Sequence, residues 1–272
     1  MTLDMLYSTF ENGIYSLIKN LPSQKKNIKI IIIHQVTPSF QDDEINYFFN
    51  NRDDIKYYKS STKGVAKSRN IAINKSSSDI VLFCDDDVIY SANFQDIILN
   101  KYATYTDLGF ITFAYSNHTS MSDFASKFSK KEFMHTLKSI LRVGTIEVTA
   151  RRSIILNNNI KFPEDMGAGT KYFLCDEPVF LSTFLKKKVK GMYVPEIICS
   201  HPEESSGKNF NNIDAFASRY LCFTRIFGRL LGFSLYIIYL VKNFNKFNGL
   251  ISLKNALFIK FKINHDHELD KN

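Results

Sequence analysis

The chain has little of several things. Its 272 residues include no tryptophan, only six prolines, and four cysteines at 84, 175, 199 and 222 that form no Cys-x-x-Cys pair. That scatter argues against a zinc ribbon and against a disulfide framework, and leaves reduced, buried thiols in a cytosolic protein as the simplest reading. Long apolar runs are missing too. The longest, LLGFSLYIIYLV at residues 230–241, falls short of the ~20 residues a spanning helix needs. No secretory leader is visible, because the first segment carries Asp4 and Glu11 where such a leader carries cations. No internal repeat, low-complexity tract or linker interrupts the chain. Negative charge is absent from one region altogether: between Arg229 and Lys262 lie Lys242, Lys246, Lys254 and Lys260, with no Asp or Glu.

What is present is enough for one substantial domain. Hydrophobic residues make up 44% and aromatic residues 14% of the chain, which excludes a disordered protein and permits a real core. Thirty-five cations against 27 acids leave a net charge of +8, an excess that suits phosphorylated ligands, anionic lipid or nucleic acid without choosing among them. The acid-free region reads in two ways: its basic, amphipathic helices either pack on the domain or lie on an anionic membrane surface.

Hydrophobic periodicity divides the rest. Leu3, Leu6, Phe10, Ile14, Leu17 and Ile18 are spaced like one face of a helix. KIIIIHQV (29–36) is a β-branched run of the kind buried on both faces of a parallel sheet. A helix-like stretch at 41–50, a strand at 54–60, a helix from Val65 and a third strand at 79–84 complete a β-α-β-α-β pattern. A helix at 94–102, a strand at 108–113, a strand running into a helix at 145–155, a helix at 176–187 and a strand from Lys190 are expected beyond it; residues 116–142 carry no clear pattern. The pattern predicts an α/β fold with a mostly parallel central sheet, helices on both faces and amphipathic helices at the C-terminus. It divides into residues 1–222 as the domain and 223–272 as the basic tail.

The third strand, DIVLFCDDDV, ends in Asp85, Asp86 and Asp87. An acidic turn is common, but in open α/β sheets the carboxyl ends of the strands are where ligands bind. There, Asp85-x-Asp87 suits a hard divalent cation, Mg²⁺ or Mn²⁺, with positions left open for phosphate oxygens. Lys63-Gly64 opens the preceding helix, with Lys67, Arg69 and Asn70 following; a helix start and clustered cations suit an anion, although a solvated basic face would read the same. Gly167-Ala-Gly169 leads to Asp176-Glu177 at a helix start, where acids serve either as caps or as a general base. His201, after the last strand, is either structural or part of a metal shell.

These pieces, in this order, resemble the inverting glycosyltransferases of family 2, which have the nucleotide-sugar-binding GT-A fold and whose members include builders of bacterial surface polysaccharides. KIIIIHQV stands for the family's first nucleotide-binding strand, GVAKSRNIAI for its Gly-x-x-x-x-Arg-Asn helix, DIVLFCDDDV for its Asp-x-Asp strand, and GAGTKYFLCDEPVFL for its Gly-rich loop and acidic pair. The resemblance covers residues 28–205. It implies that Asp85 sits near the ribose with Asp86 beside it, that Asp87 ligates the metal with Asp85 and His201, and that Lys63, Lys67, Arg69, Asn70 and His34 hold the nucleotide. One of Asp176 and Glu177 is then the base. The family usually reads Glu-Asp with the second acid as base; the inverted order here favours Glu177 by position.

The function expected is metal-assisted transfer of a sugar from a nucleoside-diphosphate donor, UDP-linked by family expectation, to a glycan or lipid-linked glycan acceptor. The place expected is the cytoplasmic, inner face of the cell membrane. A sugar nucleotidyltransferase would carry a Gly-rich basic signature after the first strand, and HQVTPSFQDDE has no glycine. A non-catalytic module for membranes or nucleic acid leaves both acidic clusters unexplained, since they repel phosphates; no nucleic-acid partner is expected.

Overall fold

The computed structural model describes residues 1–40, 43–201, 210, 212–247, 249–257 and 259. Its strands are β1 (Leu3–Phe10), β2 (Ile28–Gln35), β3 (Ile55–Ser60), β4 (Ile80–Cys84), β5 (Ile89–Tyr90), β6 (Leu108–Ser116), β7 (Phe133–Met134), β8 (Val148–Arg151) and β9 (Lys190–Ser200). Its helices are α1 (Gly13–Asn20), α2 (Asp43–Asn50), α3 (Val65–Lys75), α4 (Phe94–Thr104), α5 (Arg152–Asn157), α6 (Asp176–Lys186), α7 (Ile213–Phe227), α8 (Arg229–Lys242) and α9 (Gly249–Leu257). The sheet runs β3-β2-β1-β4-β8-β6-β9-β5, with β7 also on β9. Strands β3, β2, β1 and β4 are mutually parallel, β8 is antiparallel to both its neighbours, and β6 and β9 are again parallel.

The segment expected as an N-terminal helix is instead β1, in the middle of the parallel half. Only its last residue, Phe10, is exposed. Leu3, Met5 and Tyr7 face one core with Ile30, Ile32 and Leu82, while Leu6 faces the other with Ile31, Ile33, Val81 and Phe83. That is period-two burial on both faces of one sheet. Asp4 disguised it. A lone acid among apolar residues reads as solvated, yet Asp4 is buried and accepts from Ser76 Oγ (2.8 Å) and the Ser77 amide (2.9 Å), closing the turn after α3. The helical spacing belongs only to Ile14 and Leu17 in α1. KIIIIHQV is therefore the second strand, and the segment after the first is Glu11-Asn12-Gly13, which holds one glycine and no cation before Lys19.

Chain order β1→β2→β3 proceeds outward on one side, and β4 returns to the other side of β1. This reversal sets a topological switch point between the exits of β1 and β4, the place where an open sheet leaves a crevice. The division expected at 222/223 falls inside α7, which packs on α6 and α8 through Phe216, Tyr220, Cys222 and Tyr236 with Met166 and Tyr172. The first part of the tail is thus continuous with the domain. The polar loop expected after His201 and the cations Lys260 and Lys262 lie outside the described residues. No helix among the described residues is long and apolar enough to cross a membrane.

Candidate active site

The exit of β4, the 3-10 turn at Thr145 and the start of α6 converge on one guanidinium. Arg69 sits in the second turn of α3 and is almost fully buried. Its Nη1 donates to Asp176 Oδ2 (2.6 Å) and Glu177 Oε1 (3.1 Å); its Nη2 donates to Thr145 Oγ1 (2.7 Å) and Asp85 Oδ1 (3.3 Å). Thr145 in turn donates to Glu177 Oε1. Burial alone would depress the pKa of this guanidinium, but Asp176, Glu177 and Asp85 more than reverse that and hold it above its ordinary value. Four groups from three sequence-distant segments thus share one charge, so each is oriented by the others.

The loop before α6 delivers Asp176 into this arrangement. Gly167 has φ +89, and a Cβ there would lie 2.8 Å from Asp176 Cγ and 2.7 Å from Val65 Cγ1, so only glycine lets the loop close over both. Ala168 accepts from the Val65 amide (2.9 Å), which ties that loop to the start of α3. Asp176 is buried, and burial followed by the neighbouring Glu177 charge raises its pKa against the opposing pull of Arg69. Glu177 is the more accessible of the two, its side chain 15% exposed against 4% for Asp176.

The three aspartates after β4 point to three different places. Asp85 turns toward Arg69; burial, partly offset by that cation, pushes its carboxyl up to about 6, although a third of the side chain stays open. Asp86 turns back toward β1, accepting from Thr9 Oγ1 (2.7 Å), and its pKa is raised by burial. A Cβ at Gly13 would lie 2.4 Å from Asp86 Oδ2, so the first residue of α1 makes room for it. Asp87 faces outward, half exposed, with its Oδ2 3.5 Å from His201 Nε2. The hydrogen bond to His201 lowers its pKa below the usual carboxylate range.

Among the described residues no cluster of three or more His, Cys, Asp or Glu side chains is gathered to hold a metal. The donors present still fit a hard divalent cation of the kind that takes one or two protein ligands and completes its shell from phosphates. Asp87 offers an open, ionised carboxylate, His201 stands beside it, and Asp85 is partly open on the same turn.

Other predicted site residues lie elsewhere or serve other groups. His34 is wholly buried in β2: Nδ1 meets the Tyr57 hydroxyl (2.7 Å) and Nε2 meets the Glu11 carbonyl (2.9 Å). The carbonyl can only accept, so Nε2 carries the proton and Nδ1 accepts from tyrosine. Burial lowers the ring's pKa. His34 therefore braces the turn after β1, and its side chain, expected at the nucleotide, is fully buried with both ring nitrogens engaged. Asn70 is likewise occupied, donating to the Phe162 carbonyl (3.1 Å) and Glu164 Oε1 (3.0 Å) and accepting from the Phe162 amide (2.9 Å). Lys63 is exposed and Lys67 half-buried at the start of α3. Sequence reasoning missed Thr9, Thr145, and the buried Glu147 paired with Lys127. Thr9 had a signal, polar residues directly after an apolar strand, as at β4; Thr145 and Glu147 had none, since their stretch read as plain strand.

An acidic turn at the switch point and an acid pair on Arg69 sit on a mixed α/β fold with a mostly parallel sheet, the nucleotide-sugar transferase architecture. The chain belongs to glycosyl transferase family 2, whose model matches residues 7–152; the match begins within β1, upstream of the 28–205 expected. No curated protein sequence matches it. Among solved structures it is similar to S. aureus TarS residues 1–349 in complex with UDP, at 16% identity and TM-score 0.62 over 91% of this chain and 73% of that one. The complex of the same fragment with UDP-GlcNAc matches at 14% identity and TM-score 0.64, covering 95% and 79%. The mannosyltransferase PcManGT from Pyrobaculum calidifontis, in complex with GDP-Man and Mn²⁺, matches at 12% and TM-score 0.56, covering 95% and 68%.

Proposed function

We propose that this family 2 glycosyltransferase is inverting and metal-assisted, and moves a sugar from a UDP-linked donor to a glycan acceptor of a surface polysaccharide, lipopolysaccharide or capsule. The observation that carries the reading is the junction at Arg69, which holds Glu177 and Asp85 on one guanidinium; in this reading Glu177 serves the acceptor and Asp85 the donor. The neighbours' complexes with UDP, UDP-GlcNAc, GDP-Man and Mn²⁺ support the donor class and the cation.

In this mechanism Asp87, with His201 and Asp85, would hold Mn²⁺ or Mg²⁺, which when bound would supply positive charge for the leaving nucleoside diphosphate. Lys63 and Lys67, at the start of α3, add positive charge for the phosphates. Nucleotide-base contacts fall to the β1 exit, Thr9–Asn12, rather than to His34. Glu177 takes the proton from the acceptor hydroxyl as that oxygen attacks the anomeric carbon and the bond to phosphate breaks on the opposite face. Thr145 and Arg69 aim Glu177, and Asp176 keeps Arg69 in place, so orientation contributes as well as charge. The acceptor we assign is lipid-linked and presented at the cytoplasmic face of the cell membrane, in keeping with the basic C-terminal helices.

The test is release of nucleoside diphosphate from UDP-, GDP-, dTDP- and CDP-linked sugars, with and without Mn²⁺, with product anomers read by NMR. Metal-dependent release from UDP-sugars with inverted product is expected. Undiminished release without divalent cation removes the metal from the mechanism, and a retained anomer removes the inversion.

A further inference from the structure

Helix α8 has two apolar faces. Gly232, Tyr236 and Leu240 turn inward against α7. On the outside, Leu231, Ile238 and Val241 follow at helical spacing, with Leu230 beside them and Phe244 in the 3-10 turn beyond; Leu230 is 89% and Val241 69% exposed. A domain helix ordinarily turns polar residues to water on this side, so among the described residues the outer stripe has no partner. The rim is cationic. Arg229, Lys242 and Lys246 are all exposed, and no acid occurs between Asp214 and Asp266.

Charge decides what kind of partner fits. A second copy paired through the same face would bring like cations together with no acid to answer them, which costs free energy in an isologous interface. An anionic lipid surface satisfies both features at once: acyl chains take the leucines while phosphates meet the rim, and long cationic side chains reach up to the headgroups. Fourteen residues at ~1.5 Å each make a rod of roughly 21 Å, shorter than the ~30 Å hydrocarbon core. Such a helix lies in the interface rather than across it.

We propose that the outer face of α8 docks this protein on an anionic bilayer, with Leu230, Leu231, Ile238 and Val241 in the acyl boundary and Arg229, Lys242 and Lys246 at the phosphates. The inference deepens the reading of a membrane-borne acceptor and takes its biological sense from it. Vesicle binding is measured without donor or acceptor, so either can fail alone.

The experiment is flotation of the full chain with vesicles of phosphatidylglycerol and phosphatidylethanolamine, and separately of phosphatidylcholine. Binding to the anionic vesicles is expected to exceed that to neutral ones by at least ~10-fold and to weaken with salt. Leu231→Glu with Ile238→Glu removes it while thermal unfolding and UDP binding stay as in wild type, because both positions are exposed. Lys242→Glu with Lys246→Glu weakens it by about 10-fold or more. Equal flotation of wild type and the Leu231→Glu/Ile238→Glu variant overturns the proposal, as does absence of binding to anionic vesicles. A wild-type dimer in sedimentation that Ile238→Glu disperses would assign the face to a second copy and overturn it equally.

Discussion

At one edge of the sheet, Asp176 lies buried against a guanidinium that also grips Glu177, Thr145 and Asp85, while Asp87, two residues beyond Asp85, keeps half its side chain in water beside His201. The two groups differ in what they need. The Arg69 junction is held by contacts within the chain: one guanidinium meets three carboxylates and a threonine, with only its buried Nε left without a partner. The Asp87–His201 pair is half open to solvent, and under the proposed function a cation held there would take phosphate oxygens in its remaining positions. Groups that aim a proton transfer gain from rigidity. A site that must admit and release a charged nucleotide gains from staying open.

This contrast can be broken by substitution. Glu177→Gln keeps the shape of the side chain and removes the base, so kcat should fall by about 10²–10⁴-fold while UDP binding with Mn²⁺ stays as in wild type; a fall under Asp176→Asn alone would shift the role to that residue. Asp87→Ala should lower transfer by on the order of 10²-fold or more with no loss of thermal stability, because its side chain is half exposed. Arg69→Ala behaves in the opposite way. It strands Asp176 without its counter-charge and should cost ~3–5 kcal/mol in urea unfolding, so an unchanged unfolding midpoint would show that the junction is not structural. Thr145→Val removes one donor to Glu177 and should lower kcat by about 10-fold with KM for donor unchanged, Thr145→Ser restoring it; a neutral bond of this kind is worth ~1 kcal/mol and one to a charged group ~1.5–3.

The smallest effect is in pH. Asp85 titrates near 6 in the folded protein against ~3.9 unfolded. A raised acid pKa means that the folded state binds the extra proton between those values, so this group's contribution to stability rises as pH falls from above 6 toward 4. Asp85→Asn should flatten that part of the metal-free stability profile. A slope unchanged by the substitution would contradict the assignment.

Much of the sheet was legible because burial on both faces leaves a β-branched signature, as in KIIIIHQV and DIVLFC. β1 was not, because Asp4 interrupts its apolar run and is answered by serines far along the chain, a compensation no local pattern can display. Residues 116–142 resisted for a related reason: their ordered parts are the two-residue β7 and a short 3-10 turn at Ser139–Arg142, too brief to have a period. At the site, residue types and order were readable, and so was the edge on which they gather. Direction was not. Three consecutive aspartates look equivalent in sequence, yet Asp85 faces Arg69, Asp86 faces Thr9 and Asp87 faces His201. His34 and Asn70 looked like ligand contacts, yet their polar atoms find partners in the turn after β1, on β3 and in the 162–164 turn.

The central claim is that donor capture and base catalysis are carried by two separable groups of residues. Calorimetric titration of UDP, with and without Mn²⁺, into wild type, Asp87→Ala and Glu177→Gln tests it most directly. The account predicts Mn²⁺-dependent binding that Glu177→Gln retains and Asp87→Ala loses. Retention by Asp87→Ala together with loss in Glu177→Gln would contradict it.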